Sequence, residues 1–344
     1  MERFETEIYL RYKQIIESQK TCSFICHPGL VPGSPFHREN AQPRRVHMAD
    51  LLDRYDAFSF DGYGTLYNRG SFVYPGAMEW FKMLRRAGKH LRLVTNAASD
   101  VDEVLARDAD KRGFDFSTEE TISSGSLLRG LVELLRRGER ADGNAALNGT
   151  TDGTAAKSLD LREVYYIGRE TGKNVLAKCG IEAVAMDAEP AEPVVAISSA
   201  KDTPETYARA VKILQKPGAI LLVLNSDAWA PKIPDENGVT VREPVSGALS
   251  ERLRRDSACE ANAGDGCTTY YLGKPFPQIW KRVKASLPAG SRVLMIGDTL
   301  GTDVFGAKVA GFDSALVVGR NVPAAELEAD EIALGIRPDY YLIP

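Results

Sequence analysis

The sequence predicts an α/β protein built on a parallel sheet with helices on both faces, split by an inserted lobe of the same class. Short apolar runs, DAFSF ending at Phe60, HLRLVTN at 90–96, RVLMIGD at 292–298 and SALVV at 314–318, alternate with segments of helical periodicity. Such alternation gives parallel strands, because parallel neighbours need a crossover helix and not a tight turn. A second strand and helix series, over residues 163–249, falls between HLRLVTN and RVLMIGD and predicts an inserted α/β cap.

Residues 1–47 begin with an amphipathic stretch and continue as HPGLVPGSPFHRENAQPRR, which predicts a poorly ordered extension. Met48 stands just before the regular part, and the core is expected over 48–162 and 250–344. After DAFSF, the segment PGAMEWFKMLRRAG is a helix with Pro75 at its start and Gly88 at its end. HLRLVTN is the next strand, and helices follow near 102–111 and 124–137. A Gly-, Asn- and Thr-rich stretch at 138–158, holding an Asn-Gly-Thr sequon at Asn148, is a loop. The inserted lobe then runs VYYIG, a helix closing near Gly180, VVAISS, the helix PETYARAVKILQKPG and the strand AILLVLNSD. A second loop is expected at 257–269, after which FPQIWKRVKASL, RVLMIGD, VFGAKVAG and SALVV resume the rhythm.

A chain of 344 residues, 44% hydrophobic and 26% charged, has the composition of a soluble globular protein large enough for two domains. Its 43 basic and 47 acidic residues leave a net charge of -4 and form no basic stripe, which argues against a nucleic-acid partner. No run near the N-terminus is apolar and long enough for a signal segment or a membrane span. The five cysteines are scattered as reduced thiols would be. A cytoplasmic location is therefore expected. Cys22, Cys26, His27, His37 and His47 share a segment but match no standard zinc spacing, and GRETGKN at 168–174 keeps only the Gly-Lys of a phosphate loop.

In parallel sheets ligands gather beyond the carboxyl ends of the strands, where Asp61 and Thr95 fall. VLMIGDTLGTDVFGAKVAG, 293–311, ends another strand at Asp298, with Asp303 shortly after. Three carboxylates at strand mouths can hold a hard cation through oxygen, and magnesium is the natural choice. Lys274, in the isolated turn GKP, can neutralise charge developing on a phosphoryl group. Taken alone, Asp298 and Asp303 can equally cap the following helix.

With these residues in view, the chain resembles the haloacid dehalogenase-like hydrolases, in particular the class IIA phosphatases that carry their cap between the second and third motifs. Asp61 through Leu66 is similar to the nucleophile motif, TNAAS at 95–99 to the phosphate-binding motif, GKP at 273–275 to the lysine motif and GDTLGTD at 297–303 to the acidic metal motif. The resemblance spans about 55–320, in the family's order. It implies a Rossmann-like core closed by the cap, and a Mg2+-dependent phosphatase that acts on a small phosphorylated metabolite through an aspartyl-phosphate on Asp61. It also implies that Tyr63 gives its backbone carbonyl to the metal and Asp298 a carboxylate. Thr95, Asn96 and neighbouring backbone N–H groups would hold phosphate oxygens, Lys274 would balance charge, and Asp303 would orient Lys274 or a metal-bound water. Asn225 and Asp227, in LNSD, are candidates for substrate selectivity and equally for a turn.

The departure is Tyr63, where the family's phosphatases usually place an aspartate that protonates the leaving group and then activates water. A phenol of ordinary pKa, about 10, is a poor base at neutral pH. Three readings stay open: a phosphatase that is slow, selects good leaving groups or borrows a base; a binding or regulatory protein that keeps the site without useful turnover; and a 2-haloacid dehalogenase. The late insertion and Asp298 weigh against the last. An exposed cap edge strand offers a route to a homodimer.

Overall fold

The computed structural model describes residues 2–26, 42–138, 158–236, 240–257, 267–321 and 323–343. The Asn148 sequon and most of the two loops expected at 138–158 and 257–269 lie outside these residues. In chain order the strands begin with β1 (Arg44–Val46), β2 (Ala57–Phe60), β3 (His90–Thr95) and β4 (Thr121–Ser123). They continue with β5 (Glu163–Ile167), β6 (Glu182–Ala183), β7 (Val194–Ile197), β8 (Ile220–Val223), β9 (Trp229–Pro231), β10 (Arg242–Pro244) and β11 (Thr268–Tyr271). The last are β12 (Val293–Gly297), β13 (Asp313–Val317) and β14 (Tyr340–Leu342).

Seven strands form the core sheet in the order β1-β14-β13-β12-β2-β3-β4, and every pairing is parallel. Strand β2 is AFSF and β12 is VLMIG; both are buried along their whole length, as expected where helices cover both faces. Side chains alternate across the sheet. Phe58, Phe60, Leu93 and Ile296 pack on one face with Trp80, Phe81 and Leu84 of the helix Ala77–Arg86. Ala57, Val94 and Met295 pack on the other with Trp280 and Val283 of the helix Pro277–Ala285. From β2 the strand order proceeds to β3 and β4 on one side and to β12 and β13 on the other, so β2 and β12 flank the point at which the winding reverses.

The inserted lobe holds a second parallel sheet, ordered β11-β8-β7-β5-β6, and the antiparallel pair β9 and β10. Strand β11 lies beyond the 163–249 range expected for the cap. TTYY carries no long apolar run, yet it pairs with β8 from Thr268 to Tyr271, so the chain returns to the core only at Gly273 and Lys274.

The expectation of a poorly ordered segment over 1–47 is corrected for residues 2–26; residues 27–41 lie outside the described residues. Residues Glu2–Cys26 form a 25-residue helix, α1, whose Ile8, Tyr9, Tyr12, Ile15 and Ile16 are buried. Their i, i+1, i+4, i+7, i+8 spacing places them on one helical face, whose tertiary packing stabilises the helix. Cys267 is disulfide-bonded, which corrects the reading of all five cysteines as reduced thiols. Among the described residues no helix is long and apolar enough to cross a membrane.

Phe60 is fully buried and directly precedes Asp61. Phe60→Ala is expected to cost about 3–5 kcal/mol, read as a lower urea midpoint at unchanged slope.

Candidate active site

Three adjacent strands deliver the site. Asp61 follows β2, Asp298 follows β12, and Thr95 ends β3. Because β2 pairs in register with both neighbours, from Ala57 with Val293 and His90 to Phe60 with Ile296 and Leu93, the three ends reach one level. The Asp61 N–H donates to the Ile296 carbonyl at 2.9 Å, tying the segment after β2 to the strand that carries Asp298.

Lys274 is 1% exposed and bridges two carboxylates: its Nζ lies 2.7 Å from Asp61 Oδ1 and 2.8 Å from Asp303 Oδ1. Burial alone lowers an ammonium pKa, but Asp303, Asp61 and Asp227 more than reverse this and hold Lys274 protonated. Asp303 uses its other oxygen to accept the Asp298 and Thr299 N–H groups, each at 3.1 Å. It sits in a π-type turn, Leu300–Val304, in which the Val304 N–H reaches back to the Thr299 carbonyl at 3.3 Å. Asn321 donates to Thr299 Oγ1 at 2.7 Å and completes the support.

Carboxylate oxygens of Asp61, Asp298 and Asp303 all lie within 4.8 Å of one another. Burial pushes Asp298 well above the usual carboxylate range, and Asp61 and Asp303 add to the shift. Burial likewise raises Asp61 to about 7, against the pull of Lys274 and with a further push from Asp303 and Asp227. Asp298 Oδ2 is buried and without a hydrogen-bond partner. Oxygen donors with surplus negative charge and an orphaned lone pair fit a hard divalent cation.

A cavity of about 200 Å³ opens on this array and is lined from both lobes. Asp61, Tyr63, Thr95 and Asp298 come from the core, and Arg169, Ser198, Asn225, Asp227 and Trp229 from the cap. Asn225 Oδ1 accepts the Asp227 N–H at 2.8 Å, so the turn expected at LNSD is present while both residues also face the cavity. Burial raises Asp227 to about 6, against the pull of Lys274 and the Asn96 amide. Thr95 Oγ1 accepts the Ala97 N–H at 3.2 Å.

Asn96, expected to hold phosphate, is placed differently. Its side chain is buried and fully engaged: Nδ2 donates to Asp227 Oδ1 at 2.8 Å and to the Lys274 carbonyl at 3.0 Å, and Oδ1 accepts the Lys274 N–H at 2.7 Å. It ties the phosphate loop to the lysine turn and the cap. Gly273 is required at that contact, because its φ is +90° and a Cβ would come within 2.2 Å of Asn96 Oδ1. Ser124 and Ser226, which the sequence reading passed over, belong to the same knot. Ser124 Oγ donates to the Asn96 and Leu224 carbonyls at 2.9 and 2.5 Å, and Ser226 Oγ donates to the Lys274 carbonyl. The only signal for Ser226 was its place inside LNSD.

The Tyr63 ring packs edge-on against Tyr67, with centroids 5.2 Å apart. Burial raises its phenol pKa, and Asp108 adds to the shift. The side chain lines the cavity without offering a base at neutral pH.

Comparison with known proteins agrees with this geometry. Residues 58–182 match the model of the haloacid dehalogenase-like hydrolase family, and residues 271–343 match a second model described as HAD-hydrolase-like. The chain belongs to the haloacid dehalogenase-like hydrolases. It is 27% identical over 303 residues to a 4-nitrophenylphosphatase of Schizosaccharomyces pombe, covering 85% of this chain and 93% of that protein. In fold, this hydrolase is similar to a possible sugar phosphatase from Cytophaga hutchinsonii, with TM-score 0.67, 22% identity, and 88% of this chain and 98% of that one covered. It is also similar to a glycerol phosphate phosphatase from Mycobacterium tuberculosis in complex with magnesium, with TM-score 0.56, 23% identity, and 80% and 72% covered.

A carboxyl raised in the folded state stabilises fully below its unfolded pKa, near 4, and that contribution is lost as pH rises through its folded value. For cation-free protein the Asp61 window therefore runs from about pH 4 to about 7. Asp61→Asn removes the ionisation, so in EDTA its melting temperature relative to the unsubstituted protein should be higher at pH 8 than at pH 5. The gain is at most about 1.4 kcal/mol per pH unit.

Proposed function

We propose that this hydrolase is a magnesium-dependent phosphatase of small phosphorylated metabolites. The observation that carries the proposal is the Asp61–Lys274–Asp303 array beside Asp298, at the floor of a cavity shared by core and cap. Similarity to a 4-nitrophenylphosphatase along most of both chains supports the same reaction class and weighs against the 2-haloacid dehalogenase reading. A cavity of about 200 Å³ favours a small ester.

An Asp61 oxygen attacks phosphorus in line with the departing alcohol, the P–O bond to that alcohol breaks, and an aspartyl-phosphate forms; water then releases phosphate and returns the carboxylate. Lys274 neutralises charge on Asp61 and on the phosphoryl oxygens, and Asp303 fixes the lysine and the backbone of residues 298 and 299. The Thr95 hydroxyl and adjacent N–H groups orient the phosphoryl oxygens. Asp61, Asp298 and the Tyr63 carbonyl are the proposed magnesium ligands. When bound, the cation supplies positive charge to the transferring phosphoryl group. The cap residues Asn225 and Asp227 contact the leaving group and help to exclude water.

Tyr63 sets the rate in this reading, because a half-buried phenol of raised pKa is a weaker acid toward the leaving group than a carboxyl and a poor base toward water. The enzyme therefore favours esters whose leaving groups depart without help. The same residue favours a second reading, a binding protein with residual turnover.

Assay against phosphate esters with magnesium and with EDTA tests the proposal: cation-dependent phosphate release supports it, and none from any ester rejects it. Asp61→Asn should abolish release with the fold intact, and a phosphoryl adduct on Asp61 should appear in mass spectra of the unsubstituted enzyme during turnover. Tyr63→Asp should raise turnover by up to about 10²-fold on esters with poor leaving groups. Asp298→Ala should weaken magnesium binding in calorimetry.

A further inference from the structure

Helix α1 has no part in the chemistry, yet it touches both lobes. Its Ile8, Tyr9, Tyr12, Ile15 and Ile16 share one apolar cluster with Leu221, Leu249 and Leu253 of the inserted region and Leu300, Val304 and Leu334 of the core. The Tyr12 ring stands edge-on to Tyr271 and Phe276, at 5.0 and 5.1 Å, and these two residues bracket the turn that carries Lys274. Tyr9 lies against the acidic turn so closely that a Cβ on Gly301 would come within 2.2 Å of its ring.

Polar contacts follow the same division. Arg242 of β10 meets Glu5 at 2.7 Å, and Arg255, in the helix Ser246–Asp256, meets Glu7 at 3.2 Å. Lys13 Nζ donates at 3.0 Å to the carbonyl of Leu334, the last residue of the helix Leu327–Leu334 in the core. The exposed Arg255–Glu7 pair holds weakly and Arg242–Glu5 is largely buried, where desolvation offsets much of its attraction, so the continuous apolar face supplies most of the attachment.

We propose that α1 is a brace that fixes the cap to the core and keeps the mouth of the active site narrow. A rigid-body swing of the cap would open the apolar cluster in which α1 sits, so the cap moves freely only when the helix leaves. The docked and released forms are the two states of the device, and esters too large for the cavity enter through the released one. The selectivity part rests on the phosphatase reading; the mechanical part does not.

The test uses the full chain in two forms. One carries a protease site within residues 27–41, so that α1 is cut after folding and, with disulfides reduced in both forms and in the control, removed by gel filtration; the other is Tyr9→Ala. Hydrogen exchange of the amides at 225–231 and 246–256 is read against those of β2, and kcat/KM for 1-naphthyl phosphate is compared with that for phenyl phosphate. Both forms should exchange roughly tenfold faster or more at 225–231 and 246–256, with β2 unchanged, and a peptide of residues 1–26 should restore slow exchange in the cut form. The naphthyl-to-phenyl ratio should rise several-fold. Unchanged exchange in the cap after removal of α1 overturns the brace, whatever happens to the melting temperature. Faster exchange with an unchanged ratio overturns the control of access. Faster exchange in a protein that releases phosphate from neither of these esters nor from any other phosphate ester with magnesium upholds the brace and rejects the phosphatase reading instead.

Discussion

One buried ammonium between two carboxylates organises the centre of this molecule. Taking Lys274, Asp61 and Asp303 out of water is costly, and attraction at 2.7 and 2.8 Å offsets that cost only while the geometry is held. The surroundings are built to hold it. The Asp298 and Thr299 N–H groups fix Asp303, Asn96 clamps the lysine backbone, and parallel register brings Asp61 and Asp298 to one level. A pair kept only for stability would have no need of a third carboxylate with an orphaned oxygen beside it. The third carboxylate and its orphaned oxygen are the features on which the proposed magnesium site rests.

Much of this was legible in the sequence. Parallel strands covered on both faces are nearly all apolar, so AFSF and VLMIG stand out, and a carboxylate at the end of each is a conspicuous break. Asp61, Thr95 and Asp298 could therefore be placed at strand ends from the sequence, whereas Lys274, after a strand with no apolar run, was placed beside them only by the family resemblance of GKP. The role of Asn96 could not, because its partners are 131 and 178 residues away and neither its type nor its neighbours distinguish a tether from a ligand contact.

The misread regions have physical causes too. TTYY is half polar, and it becomes a strand because β8 offers it a free edge. Helix α1 has five inward residues in a segment otherwise rich in charge, and it is stabilised by surfaces that appear only when cap and core have both formed. Local propensity carries little information where the decisive contacts are remote. Tyr63 is the opposite case, plain in sequence and unusual in meaning: its ring packs edge-on against Tyr67 while its side chain lines the cavity.

The path by which Lys274 reaches its place has a consequence for evolution. The last strand of the cap sheet ends at Tyr271, and the lysine follows three residues later, so the lobe that shapes the mouth also delivers the central cation. A cap of this kind is a poor module for exchange. Grafting a different one onto the core would re-site the lysine along with the specificity surface, so descent with new substrates is confined to changes in loops and side chains.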